Sequence, residues 1–145
     1  MRNNHGFTLI EVIFVLGVLS ILLLLSAPLK VSILDNQKEE QFLTTFQNDL
    51  LYMQSISYLS KEYIGMEIKA DHYTIITDGH ENNIAVRRSI PADWDFDLRT
   101  FKTGLISFNR NGTIRTPGNI HLTTNNASYK IVFPLGKGRC YIEKL

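Results

Sequence analysis

Glu11 is the residue whose position most requires a chemical explanation, because it is a carboxylate near the start of a long apolar run. From Phe7 to Leu29 the chain has 23 residues, most of them Leu, Ile, Val or Phe, and residues 12–29 carry no charge. As a helix this run measures about 34 Å, enough to cross a hydrocarbon core of about 30 Å. Ionisable groups in such runs are costly and usually functional. The pattern therefore predicts a charge-pairing role for Glu11, and the alternative is a boundary residue at the level of the lipid headgroups.

Two simpler interpretations of the apolar run explain less of the sequence. A secretory signal peptide needs small residues around its cleavage site. The only candidate, Ser26-Ala27, has Leu25 before it and Pro28 after it, and both are unfavourable. A plain membrane anchor fits the length of the run but leaves Glu11 unexplained.

Charge is divided unevenly along the rest of the chain. Residues 30–98 contain six Lys/Arg against twelve Asp/Glu, whereas residues 99–145 contain eight Lys/Arg against Glu143 alone. A basic segment of this kind is able to follow phosphates. It is equally able to pair with the acidic segment, within one chain or between two. The candidates for contact with DNA or with another subunit are Arg99, Lys102, Arg110, Arg115, Lys137 and Arg139.

No pattern in the sequence predicts an enzyme, a catalytic residue, a metal site or a cofactor. Asp93, Asp95 and Asp97 alternate as on one face of a strand, but a solvated face explains them better than a calcium loop. The sequence Gly136-Lys137-Gly138-Arg139 lacks the context of a phosphate-binding loop and predicts a hairpin turn. The single cysteine, Cys140, shares a strand face with Ile142, which predicts a buried and unreactive thiol; a bridge between subunits is the alternative.

The spacing of the hydrophobic residues along the chain predicts the secondary structure that positions these residues. Over residues 30–64 the period is helical, and the helix is predicted to end near Lys61–Ile64 with Gly65 as its breaker. The apolar stripe of this helix consists of Phe42, Phe46, Leu50, Met53 and Ile56. The opposite, polar face is predicted to contain Lys38, Glu39, Gln47, Asp49, Gln54 and Ser57.

After Gly65 the period changes to two and turn residues recur, which predicts an antiparallel sheet or a small sandwich. The fold class is therefore α+β: a long N-terminal helix whose second half packs on a β-rich head. The predicted strands are 66–69, 73–77, 84–89, 96–99, 105–109, 119–124, 129–135 and 139–144.

The segment Gly6-Phe7-Thr8-Leu9-Ile10-Glu11 resembles the signature of type IV prepilins. The resemblance implies that a prepilin peptidase cuts between Gly6 and Phe7 and methylates the new N-terminus of Phe7. It also implies that Glu11 acts in assembly and that Pro28 bends the retained helix. The predicted organisation is a removed leader over residues 1–6, a transmembrane and filament-core helix over 7–29, its amphipathic continuation over 30–64, and an extracytoplasmic head over 65–145.

The head carries a second resemblance. Leu105–Gly112, Gly118–Ile120 and Leu135–Arg139 are similar to the competence pseudopilins of Gram-positive bacteria, of the ComGD type. This implies a minor subunit of a pilus-like structure that takes up external DNA, with other pseudopilins, the prepilin peptidase, an assembly ATPase and its platform membrane protein as partners. The alternatives are an H-type minor pseudopilin of type II secretion, a minor type IV pilin, or a surface DNA receptor acting through the basic C-terminal third.

The expected location follows from charge and from the same resemblance. Arg2, and His5 when protonated, precede the apolar run and favour a cytoplasmic N-terminus. The head then lies outside a plasma membrane that the chain crosses once. After assembly it is expected at the cell surface.

Overall fold

The computed structural model describes residues 7–77, 83–101, 103–136 and 138–145, and between 26 and 32 it describes the backbone alone. These ranges contain a long helix, α1 (Leu9–Ser60), followed by β-strands. The chain divides into two compact units, residues 1–40 and 41–145, and α1 contributes to both.

In the first unit, α1 presents apolar side chains to its surroundings. Every side chain from Phe7 to Leu25 is exposed. The predicted bend at Pro28 lies among the residues whose side chains are outside the described ones. No helix among the described residues combines the length and the apolar character that crossing a membrane requires.

The end of α1 differs from the prediction. The helix ends at Ser60, and Lys61 follows with a positive φ of 59°. A left-handed residue directly after the last turn closes a helix, and glycine is the usual choice there. Gly65 is not that residue: it lies inside the first strand, so its predicted role as the helix breaker was wrong.

All eight predicted strands are present, no strand end differs from its predicted position by more than two residues, and the α+β fold class is confirmed. The strands are β1 (Ile64–Ile68), β2 (His72–Thr77), β3 (Ile84–Ser89), β4 (Asp95–Asp97), β5 (Leu105–Phe108), β6 (Gly118–Thr123), β7 (Ser128–Phe133) and β8 (Tyr141–Lys144). Strands β1, β2, β3 and β5 form one antiparallel sheet in the order β3-β2-β1-β5, and the other four form a second in the order β4-β6-β7-β8.

The second half of α1 supplies one side of the core of the second unit. Phe46, Leu50 and Met53 are fully buried, as the helical stripe predicts. They share one hydrophobic cluster with residues of both sheets, such as Ile75 and Ile131. Burial of this apolar area is the main force that holds α1 on the head.

The predicted polar face of α1 was wrong at three positions. Glu39, Asp49 and Ser57 are buried, although Lys38 and Gln47 are not. The reason is helical spacing: Asp49 follows Phe46 by three residues and Ser57 follows Met53 by four. Side chains at these spacings lie on the same face of a helix, so these residues lie on the apolar side rather than opposite it.

Candidate functional site

The start of α1 is fixed by Thr8. The Oγ1 atom of Thr8 accepts a hydrogen bond from the backbone N–H of Glu11 at 3.4 Å, and its carbonyl oxygen accepts one from the N–H of Val12 at 3.3 Å. Thr8 is thus the N-cap, and Glu11 occupies the third helical position. Threonine followed three residues later by glutamate is the sequence pattern of a capping box, which defines where a helix begins.

This cap places the two residues of the predicted processing and assembly site. Phe7, predicted to carry the new N-terminus, lies two residues before the helix and is 84% exposed. Glu11 is exposed in the first turn of α1, among exposed apolar side chains. The positive end of the helix dipole stabilises this carboxylate. Gly6, on the other side of the predicted cleavage point, lies outside the described residues.

The apolar surface behind Glu11 is too large to remain in water. Its exposed side chains include Phe14, Leu19, Leu22, Leu23 and Leu24, each 49% to 75% exposed. Contiguous apolar patches on soluble monomers are limited to a few hundred Å², and larger ones mark contact with lipid or protein. The side chains of the first unit therefore form an apolar surface that lipid or protein must cover.

In the second unit, the buried carboxylate of Asp49 joins α1 to the sheet that contains β2 and β3. The Tyr73 hydroxyl donates a hydrogen bond to Oδ2 of Asp49 at 2.9 Å, and Arg88 Nε donates to the same oxygen at 3.1 Å. A second guanidinium nitrogen of Arg88 donates to Oδ1 at 3.5 Å. The Asp49 side chain is 10% exposed and that of Arg88 is 47% exposed, so the ion pair lies at the edge of the core.

Two pKa shifts follow from this network. Burial, and then the hydrogen bond to Asp49, raise the pKa of the Tyr73 hydroxyl well above its usual range, so it stays a donor at any physiological pH. The hydrogen bonds to Asp49 likewise raise the pKa of the Arg88 guanidinium. This network was not predicted from the sequence. The signal was available in the spacing of Asp49 from Phe46 and Met53.

The basic residues of the C-terminal third that were predicted to contact DNA or another subunit differ in whether they form ion pairs. Arg99 pairs with Asp97 in the acidic segment, with Nε of Arg99 at 2.8 Å from Oδ2 of Asp97. Arg110, Arg115 and Arg139 are exposed, and none of them forms an ion pair with a carboxylate in the described ranges. Among the candidates that the structure describes, an ion pair within the chain therefore accounts for Arg99 alone. Lys102 and Lys137 lie outside the described residues.

A polar groove lies where the last turns of α1 meet the turn at Asn109–Gly112. Its volume is about 370 Å³. The turn is held firmly, because Ser57 Oγ donates to the carbonyl oxygen of Asn109 and Gln54 Nε2 donates to that of Gly112 at 3.0 Å. Gly112 has a φ of 69°, and a Cβ there would lie 3.2 Å from the carbonyl oxygen of Gln54, so only glycine fits easily. The groove is lined by Leu51, Gln54, Ser55, Tyr58, Asn111, Gly112 and Arg139.

Cys140 and three aspartates are the remaining residues considered for chemistry from the sequence. Cys140 is buried, as predicted, and burial raises the pKa of its thiol to about 11. Asp93, Asp95 and Asp97 are exposed, and Asp93 accepts a hydrogen bond from the side chain of Asn125. Among the described residues, no group of three or more His, Cys, Asp or Glu side chains is placed to hold a metal ion.

Comparison with known proteins bears on the N-terminal segment. Residues 1–27 match the family model of the prokaryotic N-terminal methylation motif. No curated protein and no solved structure matches the chain. The match supports a type IV pilin-like protein with prepilin cleavage, N-terminal methylation, a membrane-anchored N-terminus, and general association with other pilins and a prepilin peptidase.

Proposed function

We propose that the chain is a minor pseudopilin of a competence pilus-like structure that takes up external DNA. The observation that carries the proposal is the capped start of α1 within the methylation motif, followed by apolar side chains that are all exposed up to Leu25. The second unit, in contrast, has a core of its own, to which α1 contributes Phe46, Leu50 and Met53. This combination suits a subunit that assembles through its helix and presents its head.

The mechanism is mechanical rather than catalytic. Peptidase cleavage after Gly6 frees the amine of Phe7, and the subunit waits in the plasma membrane with its head outside. An assembly ATPase and its platform membrane protein lift it into a growing bundle. The apolar side chains of α1 then exchange lipid for the helices of neighbouring pseudopilins.

Processing is tested by intact-mass measurement of the protein extracted from membranes. The expected mass lacks residues 1–6 and carries one methyl group on Phe7. A mature N-terminus at Pro28 would identify an ordinary signal peptide and contradict the proposal.

The competence assignment needs a separate experiment, since the same helix would serve an H-type pseudopilin of type II secretion or a minor type IV pilin. Deletion of the gene should abolish transformation and leave protein secretion and adhesion unchanged. Restoring the full chain should recover transformation. A loss of secretion or adhesion, with transformation intact, assigns the chain to one of the alternatives.

A further inference from the structure

The C-terminal end of α1 is surrounded by cations and tyrosine rings that the assembly mechanism does not use. We propose that this helix-end patch is a binding site for single-stranded nucleic acid. It consists of Tyr58, Lys61, Tyr63, Arg110, Arg115 and Arg139. The inference rests on the proposed role in DNA uptake for its biological meaning. Its physical basis lies wholly in the second unit of the chain.

The patch is built on the groove described above. Tyr58 and Arg139 line the same groove from α1 and from the segment before β8. Arg110 belongs to the turn whose residues Asn111 and Gly112 also line the groove. The bonds from Ser57 and Gln54 hold this turn, and with it the backbone of Arg110, against α1 before any ligand arrives. Such preorganisation reduces the entropy lost on binding.

The charges of the patch have no carboxylate partner among the described residues. Lys61, Arg110, Arg115 and Arg139 are all exposed, and none forms an ion pair with a carboxylate in the part of the chain that the structure describes. Glu62 is adjacent to Lys61 in sequence, and Glu143 follows Arg139 by four residues. The carbonyl end of α1, which carries partial negative charge, favours cations here but compensates them only partly.

The aromatic rings decide which anion the patch fits. The Lys61 ammonium lies 4.2 Å from the ring centroid of Tyr58, and the Arg115 guanidinium lies 5.3 Å from that of Tyr63. Tyr58 is 52% exposed. A carboxylate or a free phosphate needs only the cations. Rings interleaved with cations suit a chain that alternates phosphates and flat bases, and bases are free to stack when they are unpaired.

The test uses the full chain in a non-ionic detergent and a fluorescent oligothymidylate of about 20 nucleotides, with anisotropy measured over a salt series. Arg139→Gln should weaken binding about fivefold near 0.1 M salt and reduce the salt slope by about 0.7, the value for one phosphate contact on a single strand. Its matched control is Arg99→Gln, which removes an exposed guanidinium already paired with Asp97 and should change neither quantity.

A second pair of variants tests stacking. Tyr58→Leu should weaken binding by about fivefold or more, since stacking is worth about 1–3 kcal/mol per base, with an unchanged salt slope. Tyr141→Leu removes a comparably exposed ring in β8 and should have no effect. Native Trp94 fluorescence must be retained in every variant, because this single tryptophan reports on the fold of the head.

Each of the following results would overturn the proposal. The first is absence of binding at low salt, and the second is an equal loss with the variants and their controls. Tighter binding to duplex than to single strand would exclude recognition of unpaired bases, and equal competition by inorganic polyphosphate would reduce the patch to a general anion site. Preferential binding of poly-aspartate would point to an acidic protein partner. The mass measurement of processing is independent of all these results. A failure to bind nucleic acid would therefore leave the assembly proposal intact.

Discussion

The two halves of α1 each place a carboxylate on an apolar surface, and the contrast between them separates folding from assembly. In the second unit, Asp49 lies on the stripe of Phe46, Leu50 and Met53, and Tyr73 of the same chain donates a hydrogen bond to it. In the first unit, Glu11 lies among exposed apolar side chains, without an ion pair in the described ranges. A charge on a surface that the chain itself buries is satisfied by the chain. A charge on an apolar surface left exposed points to a partner outside it.

The largest effect that this contrast predicts is on assembly, from Glu11→Val. With the proposed cleavage and methylation, we expect Phe7 to carry a secondary amine that is cationic near pH 7, and Glu11 of an incoming subunit to face the Phe7 amine of the subunit already in place. A misaligned register leaves a buried charge unpaired, at a cost of several kcal/mol. Incorporation into sheared filaments should therefore fall about tenfold or more, while membrane insertion is unchanged or easier.

The control for Glu11→Val is Glu40→Val, which removes an exposed carboxylate from the same helix. It should incorporate normally. Normal incorporation of the Glu11→Val chain would show that Glu11 does not set the register between helices. Glu11 would then be only a residue at the boundary of the lipid headgroups. Loss of Trp94 fluorescence in that chain would show instead that Glu11 matters for folding.

At Asp49 we expect substitution to reduce the stability of the fold rather than to act on assembly directly. Asp49→Ala leaves the buried Tyr73 hydroxyl without its acceptor and Arg88 without its counter-charge, so the head should lose about 2–4 kcal/mol of unfolding free energy. Urea denaturation of the full chain in detergent, followed by Trp94 fluorescence, measures this loss. Asp97→Asn breaks an ion pair whose two side chains are about half exposed and should cost less than about 1 kcal/mol. Equal losses in the two variants would contradict the network.

Sequence periodicity was sufficient to predict the helix and the strands. It was not sufficient to predict the hydrogen-bond partners of the buried polar groups. Alternation over stretches such as Ser128–Phe133 predicted the strands, because a period of two is compatible with few other structures. Asp49 was misplaced because its residue type was weighed above its spacing from Phe46. The end of α1 was misplaced because glycine is the usual left-handed residue, whereas Lys61 adopts that conformation here.

The order of the strands was beyond sequence reasoning for a different physical cause. Strands β4 and β5 join different sheets: β4 pairs with β6, and β5 pairs with β1. Neither pairing is with the neighbour in sequence, so no turn residue encodes it. Such partners are chosen by packing across the whole core, for example by Phe42 of α1 against Trp94, with ring centroids 4.9 Å apart. The groove at the end of α1 was missed for the same reason, because it combines residues 58, 112 and 139.

The smallest predicted effect concerns Cys140 and depends on pH. Its thiol has a pKa of about 11 in the folded chain against 9.0 unperturbed, because burial penalises the thiolate. Between these two values the unfolded chain binds fewer protons than the folded one, so stability must fall as pH rises. We expect the wild-type chain to lose about 1 kcal/mol more than Cys140→Ala between pH 8 and pH 10, measured by urea denaturation. The thiol should also resist alkylation in the native chain at pH 8 and give no dimer on non-reducing gels. A Cys140-dependent dimer would show that the thiol is reached by a second subunit, and equal pH slopes in the two chains would show that it is already solvated.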